Sequence, residues 1–475
     1  MKVIGIISID RVYSIMEIKR KAYEQLLKWK NKKNHKPLIV EGLRQVGKSY
    51  IVNKFANENY KNVIVYDFRH NRELINIFNG NLDVDTIIKK SSLYFLNKNF
   101  YLNDTVLIFE EIGDCPLART SLKSFALDGR YDIIATGSLL GVINYRRMNK
   151  ANIPTGYEEY LKMTSLDFEE FLWANGFDEK QINELKYHTK NELEIDNFTA
   201  NIYKQVIKDY IVIGGLPEVV SVFIESNKNY LEARNVLNRL LIDYRNDFGR
   251  FITDDGKEQI DYRLQSKLNM IFDSIPRQLA LEKDVRKFKY SEIKKGGRAN
   301  EFKEGFEWLE KAGLIMRCFN VKAIAKPLEL NVDETYFKAF ISDMGLLMAM
   351  YPISTIKDFL NNNLDSKKGA IFENLAAITI NKANLPLYYF ARTQEHLEID
   401  FLIESSNGIV LYEEKSTNGK MAASYQIMIG KSPYKAYKCY KIIENNFGKG
   451  TFYTSIPQYC AQFLLDDIRT NINKF

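Results

Sequence analysis

The chain has 475 residues, 45% hydrophobic and 27% charged. This globular composition excludes a disordered or fibrous chain and leaves room for about three domains of roughly 150 residues. The net charge of +7 comes from 67 Lys and Arg against 60 Asp and Glu, but residues 1–37 alone hold ten bases and three acids, so the remainder sums to zero.

Four cysteines (115, 318, 439 and 460) stand far apart without a C-x-x-C, and the four histidines are scattered. The pattern suggests neither a disulfide framework nor a zinc site and fits a reducing, cytoplasmic setting. No run approaches the ~18 apolar residues of a membrane span. Residues 3–9 are apolar but short and lack a small-residue cleavage site, so residues 1–16 read as an N-terminal extension ahead of an amphipathic helix.

That helix covers 17–33, with Tyr23, Leu26, Leu27 and Trp29 near one face, and ends before Pro37. Strand-like runs at 38–40, 63–68, 106–109 and 133–136 then alternate with helical stretches at 48–57, 71–78, 84–97 and 117–127. Such alternation means a parallel α/β sheet, giving a first domain over 17–165. Residues 157–197 hold eleven acids and four bases and read as helical. A helical linker is expected over 166–282, broken at Gly214-Gly215-Leu216-Pro217. Residues 283–350 read as a compact winged-helix-like segment, and 351–475 as a C-terminal α/β domain that opens with a helix. The expected fold class is multidomain α/β: a parallel sheet, a helical linker, a winged-helix-like segment and a C-terminal α/β domain.

Gly42-Leu43-Arg44-Gln45-Val46-Gly47-Lys48-Ser49 matches G-x-x-x-x-G-K-[ST], with an apolar strand before it and a helix from Lys48 through Tyr50 after it. The glycines let backbone N–H groups turn onto phosphate oxygens, and the helix N-terminus adds partial positive charge. ATP and Mg²⁺ are the expected ligands. Lys48 should reach the β- and γ-phosphates and Ser49 the metal, with Gly42, Arg44, Gln45, Val46, Gly47 and Tyr50 lining the nucleotide. Thr105–Phe109 runs into Glu110-Glu111. Glu110 is the magnesium candidate and Glu111 the residue that orients attacking water. Thr136 or Ser138, at the next strand end, is placed to sense the γ-phosphate.

The ordered set G-L-R-Q-V-G-K-S, F-E-E-I, A-T-G-S-L-L-G, I-P-T-G and L-D-F-E-E-F-L resembles prokaryotic AAA-type ATPases that carry a C-terminal domain of unknown function 4143. I-G-G-L-P-E-V-V (213–220), G-G-R-A (296–299) and S-D-M-G-L-L (342–347) resemble that family's second half. The chain departs from the family in Glu110, where Asp is usual, and in Pro154-Thr155-Gly156, where Pro-Val-Gly is usual. The resemblance implies an arginine supplied in trans, hence a homo-oligomer. Arg130, Arg146 and Arg147 are candidates, with none singled out.

Residues 283–303 carry eight bases and three acids around Gly296-Gly297, with Ser291 able to cap a short helix. A second helix over 298–312 presents Phe302, Phe306 and Leu309 to a core, and Gly313 and a strand follow. This is helix-turn-helix logic with a wing, and Lys294, Lys295 and Arg298 could meet DNA phosphates; a small structural domain with a solvated basic face fits equally well.

Glu398-Ile-Asp400 and Glu413-Glu414-Lys415 flank Ser405–Gly408 as a hairpin. If 404 pairs with 409, Asp400 faces Glu413; if Asn407-Gly408 form the turn, it faces Lys415. Either register puts Asp400, Glu413 and Lys415 on one face, with Glu414 pointing away. Two carboxylates and a lysine suit metal-dependent phosphodiester cleavage. The set resembles the PD-(D/E)xK nuclease fold, which implies Glu373, on the preceding helix, as a third metal ligand beside Asp400 and Glu413. Seven lysines against one acid over 415–449 would supply a basic shelf for nucleic acid. Two functions follow: an ATP-driven, DNA-directed enzyme, or a nucleotide-dependent switch or scaffold that cuts nothing.

Overall fold

The computed structural model describes residues 16–138, 156–252, 258–281, 287–364, 368–392, 397–415 and 436–472. Arg146, Arg147, Thr155, Lys420, Lys431 and Lys435 lie outside the described residues, as does the N-terminal extension up to residue 15.

α1 (Lys21–Lys30) buries Leu26 and Trp29 of the expected face together with Ala22, while Tyr23 and Leu27 stay half-buried. β1 (Leu38–Gly42), α2 (Lys48–Asn59), β2 (Asn62–Asp67), a 3-10 segment (Arg72–Phe78), α3 (Val84–Tyr94), β3 (Thr105–Glu110), α4 (Pro116–Asp128) and β4 (Asp132–Ser138) follow. β5 (Glu159–Met163) completes a five-stranded sheet of order β2-β3-β4-β1-β5. Every pairing is parallel, so Gly42, Asp67, Glu110, Ser138 and Met163 end at one edge. Ligands of open parallel sheets gather at that carboxyl edge. Continuous runs such as Val106–Phe109 are wholly buried, as strands covered on both faces require.

β5 corrects the helical reading of 157–197. Glu-Tyr-Leu-Lys-Met alternates outward and inward with Leu161 and Met163 buried, the period of an edge strand. Several acids of that stretch are helix caps. Asp167, Asp178 and Asp196 accept hydrogen bonds from the first-turn N–H groups of α5 (Phe168–Ala174), α6 (Glu179–Asn191) and α7 (Asn197–Ile213). α8 (Pro217–Glu225), α9 (Tyr230–Asp247), a ribbon of β6 (Arg250–Ile252) and β7 (Glu258–Ile260), and α10 (Tyr262–Ala280) follow.

The rest comprises α11 (Ala299–Lys311), β8 (Ile315–Val321), β9 (Val332–Ile341), α12 (Met344–Met350), α13 (Ile353–Leu360), α14 (Lys368–Lys382), β10 (Tyr388–Arg392), β11 (Leu397–Ser405), β12 (Gly408–Glu414), β13 (Ala436–Ile443), β14 (Gly448–Lys449), β15 (Thr454–Pro457) and α15 (Ala461–Ile472). One eight-stranded sheet orders them β14-β15-β13-β12-β11-β10-β8-β9.

The boundary expected at residue 350 therefore falls inside a single sheet. β8 pairs in parallel with β10, Tyr388 against Phe319, and β9 pairs antiparallel with β8. The strands read as a wing are the sheet's edge. α11 buries Phe302, Phe306 and Leu309 as expected. The helix expected before Gly296-Gly297 is a single 3-10 turn, Tyr290–Glu292, with no side-chain cap. The expected linker, 166–282, is mostly helical and packs into the same core as its neighbours. One apolar core runs from Ile18 through Leu216, Leu240 and Phe302 to Ile468, joining all four expected regions.

Candidate nucleotide site and a buried charge cluster

β1 delivers Gly42 to the sheet edge, where a Cβ would stand 2.0 Å from the Met163 carbonyl oxygen. Only glycine allows that approach of β1 to β5. The loop turns through left-handed backbone at Gln45 (φ 62°) and Gly47 (φ 86°), and Gly47 is the N-cap of α2. The first N–H groups of α2 have no intrahelical acceptor, so they open toward the loop's concave side.

Lys48 is buried, and its Nζ donates to the carbonyl oxygens of Gly42 (3.2 Å) and Leu43 (2.9 Å). Burial pushes its pKa down to about 8; Glu111 opposes that shift, and Arg44 and Arg69 add to it. Exposed Ser49 hydrogen-bonds Glu110, whose Oε1 also accepts from Asn53 Nδ2 at 2.9 Å. Burial raises the Glu110 carboxyl above its usual range, so a cation there would find a partly desolvated oxygen ligand. The extra methylene of Glu110 is thus accommodated by Ser49 and Asn53. Glu111 has left-handed backbone (φ 52°), and its carboxylate pairs with Arg69 Nη2 at 3.3 Å.

β4 stands between β1 and β3, with Gly42 opposite Ser138. Its end, with buried Thr136, lies between the phosphate loop and the Glu110-Glu111 pair. Tyr50 is exposed on the first turn of α2. Arg44 reaches away from the loop to an ion pair with Asp247 of α9, and Tyr244 of α9 donates to the Arg44 carbonyl at 2.8 Å. Arg20, at the N-cap of α1, donates to the Val46 carbonyl (2.8 Å), to the Thr164 carbonyl (2.7 Å) and to Glu170 (3.1 Å). Arg130 is paired with Asp85 and Asp128 and precedes β4, at the opposite end of the sheet from the loop.

In the second sheet Glu404 pairs with Ile409 and Ser405 with Gly408, so Ser406-Asn407 form the turn and the first register holds. Asp400 stands beside Glu413, whose Oε2 accepts from the Asp400 N–H (3.3 Å), while Asp400 Oδ2 accepts from the Glu414 N–H (3.0 Å). Lys415 pairs with Glu413. Glu414 turns to the other side and accepts from Gln458.

Glu373, on α14, is met by Lys338 of β9. The Lys338 Nζ lies 2.7 Å from Glu373 Oε1 and 3.3 Å from Glu398 Oε1. Burial alone would lower the Lys338 pKa, yet Glu373, Glu398 and Asp400 hold it well above its usual value. Burial and the neighbouring Asp400 push Glu413 up to about 8, against Lys415.

The expected metal set of Glu373, Asp400 and Glu413 is met here by internal partners. Among the described residues no group of three or more His, Cys, Asp or Glu side chains could hold a metal ion. The ammonium groups of Lys338 and Lys415 already engage the carboxylates. Of the lysines expected to form a basic shelf over 415–449, Lys438 pairs with Glu192, Lys441 is buried and Lys415 pairs with Glu413, whereas Lys449 is exposed and Lys420, Lys431 and Lys435 lie outside the described residues.

Residues 34–172 match the family described as an AAA domain. This first region is a nucleotide-binding P-loop domain of the AAA ATPase type. Residues 204–357 match a domain of unknown function numbered 8612, and residues 368–459 match domain of unknown function 4143. The 213–220 and 342–347 motifs thus fall in the former and not the latter. None of the curated proteins compared with the chain matches it.

Similar solved structures include the Aeropyrum pernix ORC1 protein in complex with DNA, at 10% identity over 74% of this chain and 95% of that one, TM-score 0.26. The Aeropyrum pernix ORC2 protein in its ADPNP-ADP complexes is similar at 13% identity over 73% and 91%, TM-score 0.32. A Signal Transduction ATPase with Numerous Domains protein from Pyrococcus horikoshii, with a tetratricopeptide repeat sensor, is similar at 13% identity over 78% and 50%, TM-score 0.24. No helix of the described residues is long and apolar enough to cross a membrane.

Sequence reading missed several groups that shape both sites. Arg20, Asn53, Arg69, Tyr244 and Asp247 around the AAA-domain loop carry no local signal, since their partners lie far along the chain. Lys338 does carry one: a single charge inside Phe337–Ile341, a run otherwise apolar. Glu398 shares a strand face with Asp400 by the period of two.

Proposed function

We propose that this chain is a magnesium-dependent ATPase that works as a nucleotide-controlled switch. Lys48 and the loop N–H groups bind the phosphates, Ser49 and Glu110 would hold Mg²⁺, and Glu111 orients the attacking water once Arg69 releases it. The metal, when bound, neutralises charge building on the phosphoryl oxygens.

The observation that carries the reading is the tie between Arg44, inside the phosphate loop, and Asp247 and Tyr244 of α9. Phosphates entering the loop compete with Asp247 for the Arg44 guanidinium. α9 shares one apolar core with α12 and the second sheet, so the change is passed to the C-terminal half. Nothing in this reading requires phosphodiester cleavage.

A nucleic acid, DNA in the first instance, is the partner proposed for that half. Exposed Lys287, Lys294, Lys295, Arg298 and Lys303 around the start of α11 support contacts to a phosphate backbone.

The test measures ATP binding, turnover and amide exchange in the full chain. Lys48→Ala should lose ATP binding, and Glu111→Gln should bind ATP but turn it over about 100-fold more slowly. ATP should alter exchange in 230–247 in the wild type and leave it unchanged in Asp247→Ala. Normal ATP binding by Lys48→Ala, or identical exchange with and without ATP in the wild type, refutes the switch.

A further inference from the structure

The acid cluster of the second sheet has the outline of a metal site but a different occupant. β9 ends in Phe337-Lys338-Ala339-Phe340-Ile341, all buried. Phe337 stacks with Phe288, and Phe340 packs on Phe401, so the strand is clamped on both faces. Lys338 lies opposite Cys318 in β8, and its ammonium is 5.2 Å from the centre of the Tyr389 ring. With those walls apolar, the polar exit for the ammonium is toward Glu373 and Glu398.

The donors available to each carboxylate decide the question. Glu373 and Glu398 both accept from Lys338. Glu413 pairs with Lys415 and accepts from the Asp400 N–H, while Asp400 accepts from the Glu414 N–H. Every one of the four carboxylates thus has an internal donor. A divalent cation would need several of these oxygens at 2.0–2.6 Å, and any set that includes Glu373 or Glu398 would have to displace the buried Lys338 ammonium. Leaving that ammonium without a partner in an apolar wall is itself costly.

We infer that Lys338 is the resident counter-ion of this cluster and stands in place of a divalent metal. The C-terminal half keeps the carboxylate constellation as an internally hydrogen-bonded structural core and binds no catalytic Mg²⁺ there. The inference rests on the reading of this half as a receiver that cuts nothing, but it is tested separately from the ATPase.

Manganese is the probe, followed in the full chain without nucleotide by the paramagnetic signal of free Mn²⁺. Wild type and Asp400→Asn should take up the same amount, because any ion held at Ser49 and Glu110 is common to both. One extra equivalent in the wild type overturns the inference. Lys338→Met should gain one equivalent, which Lys338→Met with Glu373→Gln should lose, and Mn²⁺ should raise the Tm of the single variant but not of the double. A folded Lys338→Met that gains no Mn²⁺ also overturns it. Should that variant fail to fold, the comparison of wild type with Asp400→Asn decides alone. Failure of the ATPase reading would appear in Lys48→Ala and would leave these uptake values unchanged.

Discussion

Lys48 and Lys338 are buried and Lys382 is half-buried, and the three ammonium groups are each satisfied in a different way. Lys48 rests on two carbonyl oxygens of its own loop, a weak hold that phosphates can replace. Lys382 donates to Ser165, Leu166 and Tyr210, three neutral oxygens, and burial pushes its pKa down to about 8. Lys338 meets carboxylates, and its pKa moves the other way. Burial sets the direction for Lys48 and Lys382, and only the close carboxylates around Lys338 overcome it. A similar case lies at the opposite end of the AAA sheet, where His35 Nε2 is 2.8 Å from Asp132 Oδ1 and Tyr60 donates to Asp132 Oδ2 at 2.7 Å. The Asp132 hydrogen bond raises the His35 pKa above its usual 6.5. Its contribution to stability is therefore complete below 6.5 and lost as pH rises through the folded value. The gap in Tm between the wild type and His35→Phe should be widest near pH 5.5 and narrow toward about pH 8.5. An equal gap at both ends would show that His35 acts only through packing against Trp29.

The corner between α7 and α8 shows what an element boundary carries. Gly214 has φ 73°, and a Cβ there would stand 2.2 Å from Asp343 Oδ1; one on Gly215 would stand 2.2 Å from the Leu166 carbonyl oxygen. Asp343 is fully buried, caps α12 through the Gly345 and Leu346 N–H groups, and accepts from the Gly215 N–H at 3.0 Å. This corner also touches the phosphate loop, since a Cβ on Gly47 would lie 3.7 Å from Pro217 Cγ. Gly215→Ala should therefore cost at least about 3 kcal/mol in urea unfolding, the range of backbone clashes and lost buried hydrogen bonds. A loss under about 1 kcal/mol would mean that the corner yields and cannot couple the loop to α12. The break in the helix was legible, because Gly-Gly-Leu-Pro stops a helix on its own. Its contact with Asp343, 128 residues further on, was not. β5 was missed for a related reason: five alternating residues inside an acidic stretch are a weak local signal beside the helices around them.

Across the whole molecule, the charges that looked like separate tails meet each other. The basic start of the chain docks on the acidic stretch 157–197: Lys19 pairs with Glu179, Arg20 with Glu170, Lys21 with Asp167 and Glu169, and Lys32 with Glu159. Glu192 takes Lys438 from the second sheet. These pairs differ greatly in value. Lys19 and Glu179 are both about half exposed, and such pairs contribute about 0–1 kcal/mol. Arg20 and Glu170 are buried, and removing one partner strands the other. Arg20→Ala should cost about 3–5 kcal/mol and Lys19→Ala less than about 1 kcal/mol, measured by denaturant unfolding. Equal losses would show that the docking is a diffuse charge attraction and not a buried joint.

The sequence by itself determined the phosphate loop, the acidic end of β3, the strand alternation of the AAA sheet and the shared face of Asp400 and Glu413. Each of these is set by local spacing, by the period of a strand or helix, or by the conformations glycine allows. The tertiary structure decided which strands close the second sheet, which arm holds Arg44, and which ammonium neutralises Glu373. Those outcomes depend on groups far apart in the chain sharing one desolvated space, where a buried charge must find whatever opposite charge the fold brings within reach. Local periodicity carries no information about that partner, and so a lysine at residue 338 could answer a carboxylate that the sequence alone had assigned to a metal.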